Sequence, residues 1–150
     1  MGDRTYVTLT VQKEHWDAVN ELDPGEGATA ETDTLVCIGY EEVNYGELYF
    51  LPELIKQGIA YDSSWANGDE YPEGEESTRF TSEGRLVTKS FGPTSGTVDI
   101  TDLVKLLDTP EELKTFILKA KEKEEVLGWE DQIANGKIYR ARQLILQGEA

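Results

Sequence analysis

The chain holds one histidine, His15, and one cysteine, Cys37, among its 150 residues. Each scarcity removes a class of chemistry. A lone thiol makes no internal disulfide and no zinc site by itself, which fits a reducing, cytoplasmic setting. Any Ser/His/Asp or Cys/His mechanism would have to use His15, and no nucleophile motif stands near it, so it reads as a packing or solvated histidine. Cys37 lies in the apolar run Leu35-Val36-Cys37-Ile38, where burial would raise its pKa and keep it inert as a core residue. No run approaches the ~18 apolar residues of a membrane span, and Met1-Gly2-Asp3-Arg4-Thr5 lacks an apolar signal core. The expectation is a protein that neither crosses a membrane nor enters a secretory route.

Glycine-rich phosphate loops are lacking too. The glycines at 25 and 27, and at 92 and 96, have no accompanying lysine and no strand-to-helix context. No cofactor is expected. The segment Asp62-Ser63-Ser64-Trp65-Ala66-Asn67-Gly68-Asp69 gathers oxygen ligands, but Ala66 stands at the fifth position and the glycine comes seventh rather than sixth, so it departs from a calcium loop. Paired carboxylates such as Asp69-Glu70 and Glu75-Glu76 are too common at this composition to single out a metal or acid–base site.

The most informative shortage is of positive charge. Between Glu14 and Thr78 there are 17 acidic residues and one basic residue, Lys56, which accounts for the whole formal charge of −16. From Arg79 to Ala150, 12 acidic and 11 basic residues nearly cancel. A surface evolved for solubility intersperses both signs, as the second half does. A block of one sign raises the self-repulsion of the folded state and steers oppositely charged partners.

What is present is enough for one folded domain. A chain of this length buries roughly 70% of the surface its unfolded form exposes, and a hydrophobic share of 38% supports a core despite the charge. Thr5 to Val11 alternates with a period of two, predicting a strand with Val7, Leu9 and Val11 on one face. Lys13 to Leu22 predicts a helix, 26–33 an acidic linker, and Thr34 to Tyr40 a central strand. Leu51 to Gln57 predicts a short helix with Pro52 in its first turn, and Asp62 to Glu76 a polar loop. Ser77 to Ser82 and Arg85 to Phe91 predict a hairpin about Glu83-Gly84. Thr101 to Leu107 predicts a short helix, and Thr109 with Glu112 has the form of a capping box opening the longest helix. Its stripe Leu113, Phe116, Ile117 and Ala120 reads as core. A final helix carries Ile138, Ala141, Leu144 and Ile145. The fold class expected is a single α+β domain, with a small antiparallel or mixed sheet, helices on one face and a helical C-terminal part.

Eight of the 14 aromatic residues fall within the acidic window. Carboxylates and aromatic rings alternate through Glu41, Glu42, Tyr45 and Glu47, and again through Asp62, Trp65, Asp69, Glu70, Tyr71, Glu73, Glu75 and Glu76. Tyrosine and tryptophan give large contact areas at low entropy cost, so these twelve residues are the candidate partner-binding set. Carboxylates at phosphate-like separations would suit a Lys/Arg-lined groove. The competing expectation is that the tyrosines cover the core and the acids merely face water.

The segments Val43-Asn44-Tyr45-Gly46 and Gly58-Ile59-Ala60-Tyr61-Asp62, with Trp65, Gly68, Tyr71, Gly74 and Arg79-Phe80, resemble those of small acidic uncharacterised proteins carried by phages and plasmids. The resemblance implies a setting in which small acidic proteins of the DNA-mimic type inhibit host nucleases, restriction enzymes or CRISPR complexes. It brings no catalytic residues with it. Three readings stand at this point. The first is a non-enzymatic inhibitor that binds a basic, nucleic-acid-binding protein without touching nucleic acid or membrane itself. The second is an interaction or assembly module, such as a homodimer, contacting its partner through Val126, Leu127 and Trp129 or the last helix. The third is a small carboxylate-dependent enzyme.

Overall fold

A computed structural model describes residues 3–148. Its centre is a six-stranded antiparallel sheet of order β2-β3-β1-β4-β5-β6. The strands are β1 (Arg4–Gln12), β2 (Ala28–Glu31), β3 (Leu35–Asn44), β4 (Tyr61–Trp65), β5 (Gly74–Phe80) and β6 (Leu86–Phe91). Helices α1 (Trp16–Leu22) and α2 (Leu51–Lys56) interrupt them, and α3 (Ile100–Lys105), α4 (Pro110–Glu124) and α5 (Trp129–Gly148) follow. The class is α+β.

Alternation along β1 sets the layers. Val7, Leu9 and Val11 are fully buried, and the register places Tyr40, Ile38 and Val36 of β3 and Trp65, Ser63 and Tyr61 of β4 opposite them on the same face. Val19 of α1, Leu51 and Leu54 of α2, and Leu48, Phe50 and Ile59 beside α2 close over that face. Burying one Leu or Ile side chain is worth about 1.5–3 kcal/mol, so this single cluster carries the stability of the sheet. Pro52 takes the first turn of α2, and Gly58 adopts φ 73° just past its end, as a helix C-terminus requires.

The opposite face shows Thr8, Thr10, Cys37, Ser64, Asp62 and Ser77, polar or small at its centre, with Leu35, Val87 and Phe91 toward its margins. Cys37 is therefore not a core residue. It alternates out of register with Val36 and Ile38, stands half-buried on this second face, and its Sγ lies 3.3 Å from Thr10 Oγ1. The run Leu35 to Ile38 is apolar on both faces, which hid its period of two.

Two expectations about loops are corrected. The 26–33 linker contains β2, an edge strand whose residues are all exposed. Pairing with β3 orders it, and an element ordered by backbone hydrogen bonds leaves no hydrophobic pattern in the sequence. The 62–76 loop is mostly strand, since Asp62-Ser63-Ser64 lies in β4 between β1 and β5. The irregular part is 66–73, and a strand at Asp62 cannot be the start of a calcium loop. In the β5–β6 hairpin, Thr81 N donates to Arg85 O, Thr81 Oγ1 accepts from the Glu83 and Arg85 amides, and Gly84 alone takes a positive φ of 84°. The expected hairpin thus forms, with its turn at 81–85.

The C-terminal helices correct two more. Thr109 does not cap α4, because its Oγ1 donates to Leu106 O instead. The stripe on α4 is not core: Leu113, Phe116 and Ala120 are half-buried and Ile117 is exposed. Whereas α1 and α2 share the first face of the sheet, the junction of α4 and α5 reaches the polar face at β5 and β6. Lys89 Nζ donates to the carbonyls of Glu122 and Glu125 at the end of α4. Arg79 makes the main attachment. It is buried on the polar face, its Nη1 lies 2.8 Å from Asp62 Oδ1, its Nε donates to Leu127 O, and its guanidinium stacks 4.0 Å from the Trp129 ring. Trp129 Nε1 donates to Asp62 Oδ2 at 3.0 Å, and buried Gln132 accepts from Phe80 N at 2.7 Å.

Removing one member of a buried ion pair leaves the other uncompensated, at a cost of about 3–5 kcal/mol. Arg79→Ala is therefore expected to lower stability by roughly that amount, and Arg79→Met combined with Asp62→Asn by clearly less. Guanidinium denaturation of both variants checks it: equal losses would show that the charge pairing is not what holds the site.

Candidate interaction surface

The twelve residues expected to bind a partner do not form one patch. Asp62 is enclosed by Arg79 and Trp129 and is not available. Trp65 is half-buried against the core; its ring sits between Gly46 and Gly74, where any Cβ would collide with it, and its Nε1 donates to Pro72 O at 3.1 Å. Glu76 points to the core face and accepts from Tyr61 Oη at 2.8 Å, while Glu75 lies on the other face of β5. These four serve the fold or stand apart.

The remaining eight fall into two adjoining groups at the end of the sheet where β1 begins. The first is a groove of about 340 Å³ lined by Asp23, Tyr40, Glu41, Glu42, Glu47 and Tyr49 among others, with no basic side chain in its lining. Its wall comes from an irregularity in β3. Opposite Tyr6 the register with β1 shifts, and Glu42 takes φ 53°, a bulge that turns two consecutive acids outward. Tyr40 Oη donates to Asp23 O and Tyr49 Oη to Leu22 O, which fixes both rings against the loop after α1. Tyr40 titrates above its ordinary value because it is buried, with Asp23 adding to the effect.

The second group follows directly, since the groove wall Val43-Asn44 continues into Tyr45. Tyr45 and Tyr71 stack obliquely with centroids 6.0 Å apart. Asp3 organises the loop around them: its carbonyl accepts from Tyr45 N at 2.6 Å and its Oδ2 from Glu70 N at 2.8 Å. Gly68 N closes the turn on Tyr71 O. Asp3 and Glu70 thus meet beside this tyrosine pair, Glu73 lines a shallow pocket with Tyr71, and Asp69 adjoins them in the turn. Desolvation raises the pKa of Tyr71, and the Asp3 carboxylate adds to it.

Positive charge is scarce here. Arg4 forms the one ion pair of this end among the described residues, with Glu42 at 3.1 Å. Across the acidic window, Glu14, Glu31, Glu42 and Asp62 have cationic partners, and the other 13 carboxylates have none among the described residues. Crowding of like charge is visible at Glu41. It shares a hydrogen bond with Glu26, which also accepts from Tyr6 Oη, and this sharing followed by repulsion from Glu26 lifts the Glu41 pKa above the ordinary 4.5.

The sequence missed Asp3, Asp23 and Tyr49. Asp3 joins Tyr45 only through the register Arg4↔Asn44, and Asp23 and Tyr49 meet at the groove from segments 26 residues apart, so no local signal could have found them. His15 is half-buried beside Glu14, and burial lowers its pKa. It stands at the other end of β1, remote from both groups. Among the described residues no three His, Cys, Asp or Glu side chains come close enough to hold a metal ion.

Because folded Glu41 holds its proton more tightly than the unfolded chain does, its contribution favours folding at low pH. That contribution is lost as pH rises from about 4.5 through the raised folded value. Glu41→Gln keeps a donor toward Glu26 and removes the repulsion, so its denaturation midpoint is expected to exceed that of the wild type at pH 7, with the difference shrinking toward pH 4.5. A difference that stays constant across this range would contradict the shared proton.

Comparison with family models, with curated proteins and with solved structures finds no match to this chain, so a functional reading rests on this geometry.

Proposed function

We propose that this is a non-catalytic protein that binds a positively charged surface of a nucleic-acid-binding protein, and that it does so through the acidic end of the sheet. One observation carries the reading. Asp23, Glu41 and Glu47 line the groove of Tyr40 and Tyr49, Asp3, Asp69, Glu70 and Glu73 lie at or in the turn of Tyr71, which stacks on Tyr45, and none of these carboxylates has a cation within ion-pair distance among the described residues. A fold that keeps this arrangement bears its self-repulsion in the free state. A Lys/Arg-lined groove would relieve that repulsion, and the fixed tyrosines would supply contact area that needs little further ordering.

Such a ligand occupies the place of a polynucleotide. With a formal charge of −16 it is repelled by nucleic acid itself and attracted to the proteins that hold it. The same chemistry supports the inhibitor role, since a carboxylate surface seated in such a groove excludes the phosphate backbone. The competing reading, an assembly module in which acidity is incidental, draws its support from the apolar side chains exposed on the C-terminal helices, among them Ile100, Val104, Leu107 and Leu144.

The two readings separate by charge neutralisation. For a partner recovered by pull-down, the first predicts that Asp69→Asn, Glu70→Gln and Glu73→Gln together weaken binding at low salt roughly tenfold, chiefly in the association rate. It also predicts that binding falls steeply with added salt and that double-stranded DNA or RNA competes for the partner. Binding that survives neutralisation and high salt would assign the contact to the helices instead.

A further inference from the structure

The end of β1 away from the acidic groups opens on a cavity of about 350 Å³ with the opposite electrostatics. Its walls are the end of β1, the end of α2, the β5–β6 turn, and the face of α5 that presents Gln132, Gly136 and Arg140. No carboxylate lines it, whereas Lys56, Arg140 and His15 do. Lys56 is the one basic residue between Glu14 and Thr78, and it has no ion-pair partner among the described residues.

Two features of this lining are not explained by the fold. Gln132 is 3% exposed, and its side-chain oxygen accepts from Phe80 N at 2.7 Å. Because a backbone N–H can only donate, that contact fixes which way the amide lies. Its Nε2 is left a donor at the cavity with no partner among the described residues, and a donor withdrawn from bulk water without an acceptor is unfavourable until something supplies one. Gly136 stands inside a 20-residue helix, where glycine is less favourable than alanine. Apart from its own helix backbone, a Cβ there would meet only Arg140 Nη1, at 3.6 Å. Close packing therefore does not demand the glycine, and its effect is to leave the cavity open.

The donors of this lining already gather an anion at the rim. Glu14 Oε1 accepts from Arg140 Nη1 at 3.2 Å and from Gln12 Nε2 at 3.3 Å, and lies 3.4 Å from His15 Nε2. We infer that the cavity binds a phosphate monoester of a small ring-bearing molecule, with the phosphate toward Lys56, Arg140 and the Gln132 amide and the ring against Phe80 and Tyr139. Donors supplied by separate elements suit a tetrahedral head with three free oxygens better than a two-oxygen carboxylate. The volume and the mixture of apolar wall with a few polar groups are those of a small-ligand site. The cavity and the acidic end lie at opposite ends of β1, so this inference does not rest on the reading of the other site.

Phenyl phosphate added to the full chain is the probe, with calorimetry for affinity and the ring resonances of His15, the only histidine, as reporter of place. Saturable binding of one molecule per chain is expected, weakened about tenfold or more in Lys56→Gln with Arg140→Gln, since charge-assisted hydrogen bonds are the strong ones. Gly136→Ala is expected to weaken binding while raising the denaturation midpoint, because its methyl group enters the cavity and favours the helix. Benzoate and inorganic phosphate are each expected to bind more weakly than the probe. His15 resonances that do not respond to millimolar phenyl phosphate, or affinity that survives the double substitution, would overturn the inference. Full affinity in Gly136→Ala would remove the ligand from the cavity. Benzoate binding as tightly would overturn the phosphate head, and inorganic phosphate binding as tightly would overturn the ring.

Discussion

Arg79 joins two halves of the molecule that have little else in common. On one side lies a sheet whose sequence window carries the whole net charge; on the other lies a nearly neutral run of helices. Its guanidinium is the buried cation at their junction, in contact with the Asp62 carboxylate, the Leu127 carbonyl and the Trp129 ring. An arginine is suited to this as a lysine is not, because a planar fork can donate in several directions while its face stacks on an indole. The attachment has a consequence for the surface. Asp62 is withdrawn from any outside partner, so of the acids expected to bind one, those that remain free lie toward the opposite end of β1.

That far end is built by devices that place charge without balancing it. The bulge in β3 turns Glu41 and Glu42 out together, the Asp3 main chain and carboxylate hold Tyr45 and the 66–73 turn, and Asp23 enters from the loop after α1. Each is secured by backbone hydrogen bonds or by packing, so the acids need no counter-ions to keep their positions. Apart from Arg4 at Glu42, no cation stands within ion-pair distance of these acids among the described residues. That imbalance is the ground for the basic partner proposed above.

How far the sequence disclosed this depends on the range of the interactions. Elements with their own hydrophobic period were legible: β1, the core of β3, the β5–β6 hairpin and α2. Strands β2 and β4 were not, because Ala28 to Glu31 is ordered only by its neighbour and Asp62-Ser63-Ser64 is polar in a position enclosed on both sides. The grouping of Asp69, Glu70, Tyr71 and Glu73 is local to one turn of the chain, whereas Tyr45 joins it only through the sheet and its stacking on Tyr71. The roles of Asp62, Trp65 and Glu76 could not be read locally, since Arg79, the glycines flanking the indole and Tyr61 reach them from distant positions. The helical stripe on α4 misled for a related reason: amphipathic spacing identifies an apolar face without stating what that face meets.

The strand order also bears on how the chain acquires this shape. β1 lies between β3 and β4, yet it precedes both, so the middle of the sheet is the earliest strand in the chain and must wait unpaired while its neighbours are synthesised. The pairs β2–β3, β4–β5 and β5–β6 join neighbours in the chain, but both pairings of β1 are distant. Assembly of the hydrophobic layer is thus a matter of long loop closures, the kind that slows folding and leaves edges exposed meanwhile. During that interval a chain crowded with like charge repels its own copies, and the acidity that shapes the finished surface also keeps nascent strands from pairing with the wrong molecule.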